Sequence, residues 1–342
     1  MARITMQDIA DELGVSRISV WKVFNNVDTV SPVLKSRILD KASELGYVKA
    51  AQLAESRLCG GETNVAVVVS RPESSTFWST IIHSMAETFS CEKVNLLYVY
   101  VPSRYSADFV FPEILRHHMV DGIVVINVYD TEILDMLNAL PMAKVFLDIT
   151  TDYPFLRLKG DLVLLEGKQT VKLITGDLIR NGCTRIGFIG DIKYALTNKL
   201  RYEGYTAAIT EAGLVCENDY LFYDKIGINE YYASISDYLD SVTSFPDAYV
   251  CVSDFVAHFI YRYFLEHPRR LKNPLVVTGY DGSFEYPAVA DSITTARVDT
   301  RKIGKLLADK ICYRIKNPSM PKEISYVFPE VILKDSCLTP VI

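Results

Sequence analysis

The stretch Asp8–Phe24, DIADELGVSRISVWKVF, decides the fold of the N-terminal segment. Apolar residues recur in it at three- and four-residue spacing on both sides of a break at Gly14-Val15, which is typical of two short amphipathic helices. Thr5 followed by Asp8 is a capping-box pattern for the first helix, and Ser16 can cap the second. Two short helices joined by so short a turn predict a helix-turn-helix, whose second helix can enter the major groove of DNA.

A third helix is predicted to follow, because Ser31 and Pro32 supply a cap and a first-turn proline and Gly46 supplies a stop. We therefore expect a three-helix DNA-binding domain over residues 1–48. The next segment, residues 49–61 (KAAQLAESRLCGG), favours helix as far as Leu58 and ends in two glycines. It is predicted to be a hinge or linker that is helical only under some conditions.

The charge of the N-terminal segment gives weak support for DNA binding. The whole chain has a net charge of −6, whereas residues 1–58 hold eight Lys and Arg against seven Asp and Glu. Neutralisation of phosphates needs local Lys and Arg, so an excess of one positive charge contributes little. We expect DNA binding to depend on a second copy of the chain and on well-placed contacts in the groove.

Composition argues against several other classes of protein. At 49% hydrophobic and 23% charged residues, the chain is typical of a globular protein of about two domains. Its seven cysteines form no C-x-x-C pair, so neither a disulfide framework nor a zinc site is expected. The sequence has no apolar run of about 18 residues and no signal-peptide pattern, which predicts a cytoplasmic protein without membrane contact.

From residue 64 onward, apolar strand-like runs alternate with amphipathic segments. The strand candidates are NVAVVVS, VNLLYVYV, GIVVINV, AKVFLDI, RIGFIG, AYVCVS, LVVTGYD and ISYVFPEVIL, and the helix candidates include residues 77–89, 168–180, 201–212, 255–266 and 301–315. Continuous apolar strands separated by helices predict doubly wound parallel sheets. The strands are too many for one sheet, so we expect two subdomains with a ligand cleft at the carboxyl ends of their strands.

The whole length of the chain resembles the LacI/GalR (lactose-repressor type) family of transcriptional regulators. The resemblance rests on ITMQDIADELGVSRISVWKVFNN, VSPVLKSRILDKASELGY, VDGIVV, LIRNGCTRIGFIG, RYEGYTAAITEAGL and VTGYDG, which occur in the family's order. It implies an α/β fold with an N-terminal helix-turn-helix module and a periplasmic-binding-protein-like effector domain of two doubly wound subdomains. We place the effector-binding and dimerisation domain at 62–342, with one subdomain at about 62–160 and 298–324 and the other at about 161–297 and 325–342.

The resemblance implies that Arg17, Ile18 and Lys22, on the second helix, reach base edges. Arg and Lys can donate to guanine, whereas Ile can contact only a thymine methyl group. The residues at phosphate-binding positions of the family are Ser16, Ser19, Asn25 and Ser31.

Two positions depart from the family's pattern. Trp21 replaces a small residue and either packs on the sugar-phosphate edge or is a core aromatic. The leucine that the family inserts into the minor groove is matched by Ser56, so Leu53 or Leu58 would take that role in a shifted hinge helix.

In the effector region the resemblance implies ligand contacts from Arg201 and Asp281. A charged donor and a charged acceptor facing one cleft suit a sugar, because each hydroxyl group both donates and accepts hydrogen bonds. A purine or nucleoside is the second candidate. The further residues expected at the cleft are Ser70, Phe77, Trp78, Asn127, Asp148 and Ser253.

Each of these assignments has an alternative without function. Arg201 and Asp281 can form a structural ion pair, and Phe77 and Trp78 can be core aromatics. His117-His118 has no partner at metal-ligand spacing, which favours a solvated helix end.

The main prediction is a ligand-controlled repressor that acts as a homodimer on a palindromic operator in double-stranded DNA. A cytosolic solute-binding sensor is a second possibility. An enzyme is a third, but no nucleophile-base pair, metal set or phosphate loop supports it. We therefore expect no enzymatic activity and no cofactor or metal.

Overall fold

The computed structural model describes residues 4–24, 27, 30–45, 47, 63–70, 75–116, 119–227, 230–335 and 337–340. Its chain divides into two compact units, Met1–Thr63 and Asn64–Ile342. The expectations for Asn25, Gly46, the hinge at 49–61 with Leu53, Ser56 and Leu58, and His117-His118 lie outside the described residues.

The N-terminal unit contains three helices, α1 (Met6–Leu13), α2 (Arg17–Phe24) and α3 (Pro32–Glu44). Thr5 forms the predicted capping box with Asp8, and Gly14 ends α1 in the left-handed conformation at φ 62°, which glycine adopts without strain. Ser16 caps α2 by accepting from the Ser19 amide at 3.1 Å. The helices pack around a small core of Ile9, Ala10, Val20, Val23, Ile38 and Ala42.

The second unit begins with a six-stranded sheet. Its strands are β1 (Thr63–Val69), β2 (Val94–Tyr100), β3 (Gly122–Ile126), β4 (Ala143–Leu147), β5 (Asp161–Leu165) and β11 (Ile324–Val327), in the order β11-β5-β4-β3-β1-β2. The pairs β1-β3, β3-β4, β4-β5 and β5-β11 are parallel. The helices that accompany this sheet are α4 (Thr76–Cys91), α5 (Glu113–Arg116), α6 (Thr131–Ala139) and α11 (Thr300–Lys316).

A four-stranded parallel sheet forms the second subdomain. Its strands are β6 (Ile186–Ile189), β7 (Leu221–Phe222), β8 (Ala248–Cys251) and β9 (Val276–Thr278), in the order β7-β6-β8-β9. The helices that accompany this sheet are α7 (Lys168–Arg180), α8 (Leu196–Glu211), α9 (Tyr231–Ser241) and α10 (Asp254–Glu266). A two-stranded antiparallel ladder joins β10 (Thr295–Arg297) to β12 (Glu330–Ile332).

The inner strands of the first sheet are buried on both faces, as their continuous apolar sequences predict. Val65, Val67 and Val69 of β1 belong to one core cluster, whereas the intervening Ala66 and Val68 belong to another. A buried ion pair fixes α11 to this sheet, because Arg314 Nε donates to Asp161 Oδ2 at 3.1 Å. The predicted doubly wound arrangement is therefore confirmed.

The subdomain boundaries differ from those expected at residues 160 and 324. Strands β5 and β11 pair in the first sheet, so the chain crosses to the second subdomain after Leu165 and after Val327. The run ISYVFPEVIL contains two strands in different sheets, with Phe328-Pro329 as the crossing. Proline cannot donate to a strand ladder, which explains why one apolar run is divided there.

Candidate functional sites: a recognition helix and a cavity between two sheets

Helix α2 exposes the face expected to contact DNA. Its Val20 and Val23 are buried in the core of the N-terminal unit, whereas Arg17, Ile18 and Trp21 are exposed and Lys22 is half-buried. Ile18 is 65% exposed and Trp21 is 50% exposed. Trp21 is therefore not a core aromatic, and of its two expected roles only the one on the outer surface agrees with the structure.

The serines at expected phosphate-binding positions lie at helix starts. The hydroxyl groups of Ser16 and Ser19 are 2.9 Å apart, and Ser31 accepts from the Leu34 amide at 3.4 Å at the start of α3. Ser16 and Ser31 are exposed, and Ser19 is half-buried. Capping orients these side chains at positively polarised helix N-termini, which are suited to contact with phosphate oxygens.

A cavity of about 510 Å³ lies between the two sheets of the second unit. Seven of the eight residues expected at the effector site line it, namely Phe77, Trp78, Asn127, Asp148, Arg201, Ser253 and Asp281. The eighth, Ser70, follows β1 but is buried and is not part of the lining. The start of α4 contributes Ser75, Phe77 and Trp78 to the lining.

Arg201, on α8, is a buried side chain of the cavity with contacts to three neighbours. It is 5% exposed, its Cζ atom lies 3.5 Å from the centroid of the Tyr280 ring, and its Nη1 donates to the carbonyl of Val252. Its Nη2 is 3.7 Å from Asp281 Oδ1. Its Nε is buried and has no hydrogen-bond partner among the described residues, so one donor of this guanidinium is left unused.

Asp148 ties the two subdomains together. Its Oδ2 accepts from Thr197 Oγ1 at 2.6 Å and from the Tyr129 hydroxyl at 3.2 Å. Its Oδ1 accepts from the amides of Ile149 at 2.9 Å and Thr197 at 3.3 Å. Burial raises the pKa of this carboxyl, and the hydrogen bonds from Thr197 and Ile149 oppose that rise. Because both of its oxygens already accept hydrogen bonds, Asp148 mainly holds the cavity wall in position and has little capacity left to accept from a ligand.

Asn127 lies at the end of β3 with a φ of 58°, in the left-handed region. It is 4% exposed, and its Nδ2 has no hydrogen-bond partner within the described part of the chain. A buried amide donor without a partner costs about 1–3 kcal/mol. An acceptor on a bound ligand would remove that cost. Ser253 contributes to the opposite wall, where it caps α10 by accepting from the Val256 amide at 3.3 Å.

Aromatic rings form much of the rest of the wall. Phe77 and Trp78 meet edge to face at 5.0 Å, as do Tyr129 and Tyr194 at 4.9 Å. Phe255 packs against Tyr231 at 5.4 Å and against Tyr286 at 5.5 Å. Five of these lining residues were not predicted from the sequence, namely Tyr129, Tyr194, Tyr231, Phe255 and Tyr286. The positions just after the strand candidates GIVVINV and AYVCVS would have indicated Tyr129 and Phe255.

Glu285 joins the subdomains at the cavity. Its Oε2 accepts from the Thr76 amide and the Thr76 hydroxyl at 3.1 Å each, and from the Ser75 hydroxyl at 3.3 Å. Ser75 and Thr76 begin α4, whereas Glu285 lies in the loop that follows β9. These contacts were not foreseen, because they connect residues that are about 210 positions apart.

Asp254 supports the loop that carries Asp281. Its Oδ1 accepts from Thr295 Oγ1 at 2.7 Å, and its Oδ2 accepts from the Ser283 amide at 2.7 Å. Burial raises the pKa of this carboxyl to about 6, although the hydrogen bonds and Arg201 oppose the rise. Asp254 does not line the cavity, and it was not predicted from the sequence.

Comparison with known proteins gives full-length matches. Residues 175–337 match the model of a periplasmic binding protein-like domain. The chain is 23% identical over 336 residues to the HTH-type transcriptional repressor PurR of Photobacterium profundum, covering 97% of this chain and 98% of that protein. Over its whole length, the chain is similar to helix-turn-helix transcriptional regulators. Its N-terminal unit is thus a helix-turn-helix module, and its second unit is a periplasmic-binding-protein-like effector domain.

Solved structures of regulators share this fold. The transcriptional regulator CelR in complex with cellobiose superposes with a TM-score of 0.65 at 20% identity, covering 98% of this chain and all of that one. The lac repressor dimer bound to operator and an anti-inducer superposes with a TM-score of 0.61 at 16% identity, covering 96% and 98% of the two chains. The expected fold class is confirmed by both.

The described residues offer neither a metal-binding cluster nor a membrane-spanning helix. They contain no group of three or more His, Cys, Asp or Glu side chains arranged to hold a metal ion. No helix in the described ranges has the length and apolar character needed to cross a membrane.

Proposed function

We propose that this protein is a repressor whose affinity for operator DNA is controlled by a neutral sugar bound between the two subdomains. The observation that carries the ligand assignment is the cavity itself. It combines two buried donors without partners among the described residues, Asn127 Nδ2 and Arg201 Nε, with aromatic walls. Pockets with a few fixed polar groups on an apolar wall are typical of small-ligand sites.

The charges of the cavity favour an uncharged ligand. Among the described residues that line it, the one cation is Arg201, which is close to Asp281, and the other acidic residues are Asp148 and Glu285. A phosphate group would meet more carboxylates than cations there, which opposes a sugar phosphate. Sugar hydroxyls can accept from the buried donors and donate to carboxylates, while their apolar faces pack on the rings. The complex of CelR with cellobiose supports a sugar as the ligand class, because that regulator has the same fold.

A purine or nucleoside is the second candidate, favoured by the same aromatic rings. Phe77 and Trp78 lie on one wall and Phe255 and Tyr286 on the other, so a planar base could stack against either pair. The two candidates differ in hydrogen bonding. A nucleobase offers a few groups in one plane, whereas a sugar offers hydroxyls around its whole rim.

The mechanism that we propose couples this cavity to DNA through the angle between the subdomains. A ligand that contacts both walls stabilises one angle, and that angle sets the spacing of the two helix-turn-helix modules in a homodimer. Two half-sites of a palindromic operator about one helical turn apart can be bound together only at one spacing. The control available is the ligand's differential affinity for the two states, typically about 1–3 kcal/mol.

A thermal-shift screen of the full chain against neutral mono- and disaccharides, sugar phosphates and nucleobases tests the ligand assignment. We expect a neutral sugar to raise the melting temperature, and N127A and D281A to remove that rise. D152A is the matched control, since Asp152 is exposed and outside the cavity lining. A response to nucleobases would favour the second candidate. A sugar response equal in all variants would contradict the assigned site.

A further inference from the structure

Helix α2 presents two large apolar side chains outward, on the face that carries Arg17. Ile18 is 65% exposed and Trp21 is 50% exposed. Trp21 follows Ile18 by three positions, so they are neighbours on one helix face. Trp21 is also four residues after Arg17, which places it one turn along the same surface.

The core of the N-terminal unit does not include this pair. Its buried residues on α2 are Val20 and Val23, and Phe24 packs against them. Neither Ile18 nor Trp21 is part of that cluster or of the side chains packed against it. Large apolar side chains grouped on a surface without a role in the core indicate a binding surface.

The chemistry of the major groove defines what this surface can contact. Base edges there present hydrogen-bond donors and acceptors, and the one apolar group is the methyl group of thymine. A side chain such as Ile18 or the ring of Trp21 gains nothing from a guanine or cytosine edge. The same side chains gain apolar contact area when they cover the methyl group of a thymine.

We propose that Ile18 and Trp21 read the methyl groups of thymines on neighbouring base pairs of the operator half-site. As i,i+3 neighbours their Cβ atoms lie about 5–6 Å apart, so the two side chains can reach adjacent base pairs. Arg17 lies beside them for a polar base contact. This inference rests on the proposed function, because it requires that α2 enter the major groove of an operator.

The small charge of the N-terminal segment agrees with this surface. With eight basic and seven acidic side chains in residues 1–58, the segment has few charges to spare for phosphates. Affinity that does not come from counterion release must come from other contacts, among which base contacts also give sequence specificity. Contacts with thymine methyl groups are such a source.

The test begins with selection of binding sites by the full chain from a random DNA duplex library. Each thymine of the selected half-site is then replaced by uracil, which lacks only the methyl group. We expect one or two positions at which uracil lowers affinity, by about fourfold for each contacted methyl group. At one of those positions, W21S should bind the thymine and uracil duplexes with equal affinity, since serine has no apolar surface to cover the methyl group.

The control variant is V33S, because Val33 is 73% exposed but lies on α3. It should keep the thymine-to-uracil ratio of the unmutated chain. Unfolding curves of W21S should keep the single cooperative transition of the unmutated chain, since Trp21 is outside the core. A selected site that tolerates uracil everywhere, or a ratio unchanged in W21S, would overturn this inference alone. Failure to select any sequence would overturn the proposed function as well.

Discussion

Single residues of the cavity divide into those that sequence patterns identify and those that they do not. Arg201 and Asp281 were expected from the family resemblance, and both line the cavity. The sequence could not distinguish ligand contact from an ion pair, because a 3.7 Å separation depends on how distant segments pack. Glu285 and Tyr286 lie in a loop without periodicity, so no pattern indicated them. Asp148 lines the cavity as expected, but the sequence did not indicate that its acceptors already receive hydrogen bonds from Tyr129, Ile149 and Thr197.

Asp254 gives a prediction about pH. Because its pKa rises to about 6 in the folded protein but is about 3.9 in an unfolded chain, the folded state binds the proton more tightly. Its contribution to stability is present below about pH 4 and is lost as the pH rises to about 6 and above. D254N removes this titration, because an asparagine side chain does not ionise. It can keep both contacts, since its amide can donate to Thr295 Oγ1 and its carbonyl can accept from the Ser283 amide.

The measurement is the free energy of unfolding in urea at several pH values. The difference between D254N and the unmutated chain should shift in favour of D254N by up to about 3 kcal/mol between about pH 4 and pH 7. Two parallel stability profiles would show that Asp254 does not titrate as described.

Elements with long apolar or amphipathic patterns are predictable, and short ones are not. The helix candidates at 168–180 and 255–266 nearly coincide with α7 and α10. Strands β7 and β10 have two and three residues, which is too short for any periodicity to appear. Strand β5 was missed because its run of four apolar residues, Leu162 to Leu165, is compatible with either helix or strand. Pairing with β4 and β11 makes this segment a strand.

The packing of α7 against α8 gives a prediction at this scale. A Cβ atom on Gly204 of α8 would lie 2.2 Å from the carbonyl oxygen of Lys168 on α7, whereas a Cβ on Gly176 would meet nothing closer than 3.6 Å. G204A should therefore lower the free energy of unfolding by about 1–3 kcal/mol through overpacking. G176A should raise it by up to about 1 kcal/mol, because alanine favours helix. Equal effects of the two variants in urea unfolding would contradict this packing.

The whole molecule depends on contacts between distant parts of the chain that local patterns do not contain. The fold class and the position of the cleft followed from alternating strands and helices, because carboxyl ends of parallel strands meet at one edge. The points at which the chain crosses between the subdomains, after Leu165 and after Val327, could not be predicted in this way, since both residues lie within apolar runs. The hydrogen bonds from Thr76 to Glu285 are of the same kind, as nothing near either residue indicates its partner.

Those hydrogen bonds lead to a prediction about ligand binding. They stabilise the arrangement in which the start of α4 and the loop at Glu285 meet, so E285A and T76V should each weaken binding of the effector, by about tenfold for E285A. Thr76 does not line the cavity, so its effect cannot come from direct contact there. Calorimetry should show that the double variant is no weaker than E285A. Additive losses, or unchanged affinity in T76V, would contradict a role in closure.

The central claim is that one ligand in the cavity changes operator affinity. The most direct test is fluorescence anisotropy of a labelled, selected operator titrated with the full chain, with and without saturating sugar at fixed salt. We predict a shift of about 5- to 150-fold in operator affinity, and the same factor in sugar affinity when operator is present. Sugar that binds in the cavity while operator affinity stays the same would contradict the account.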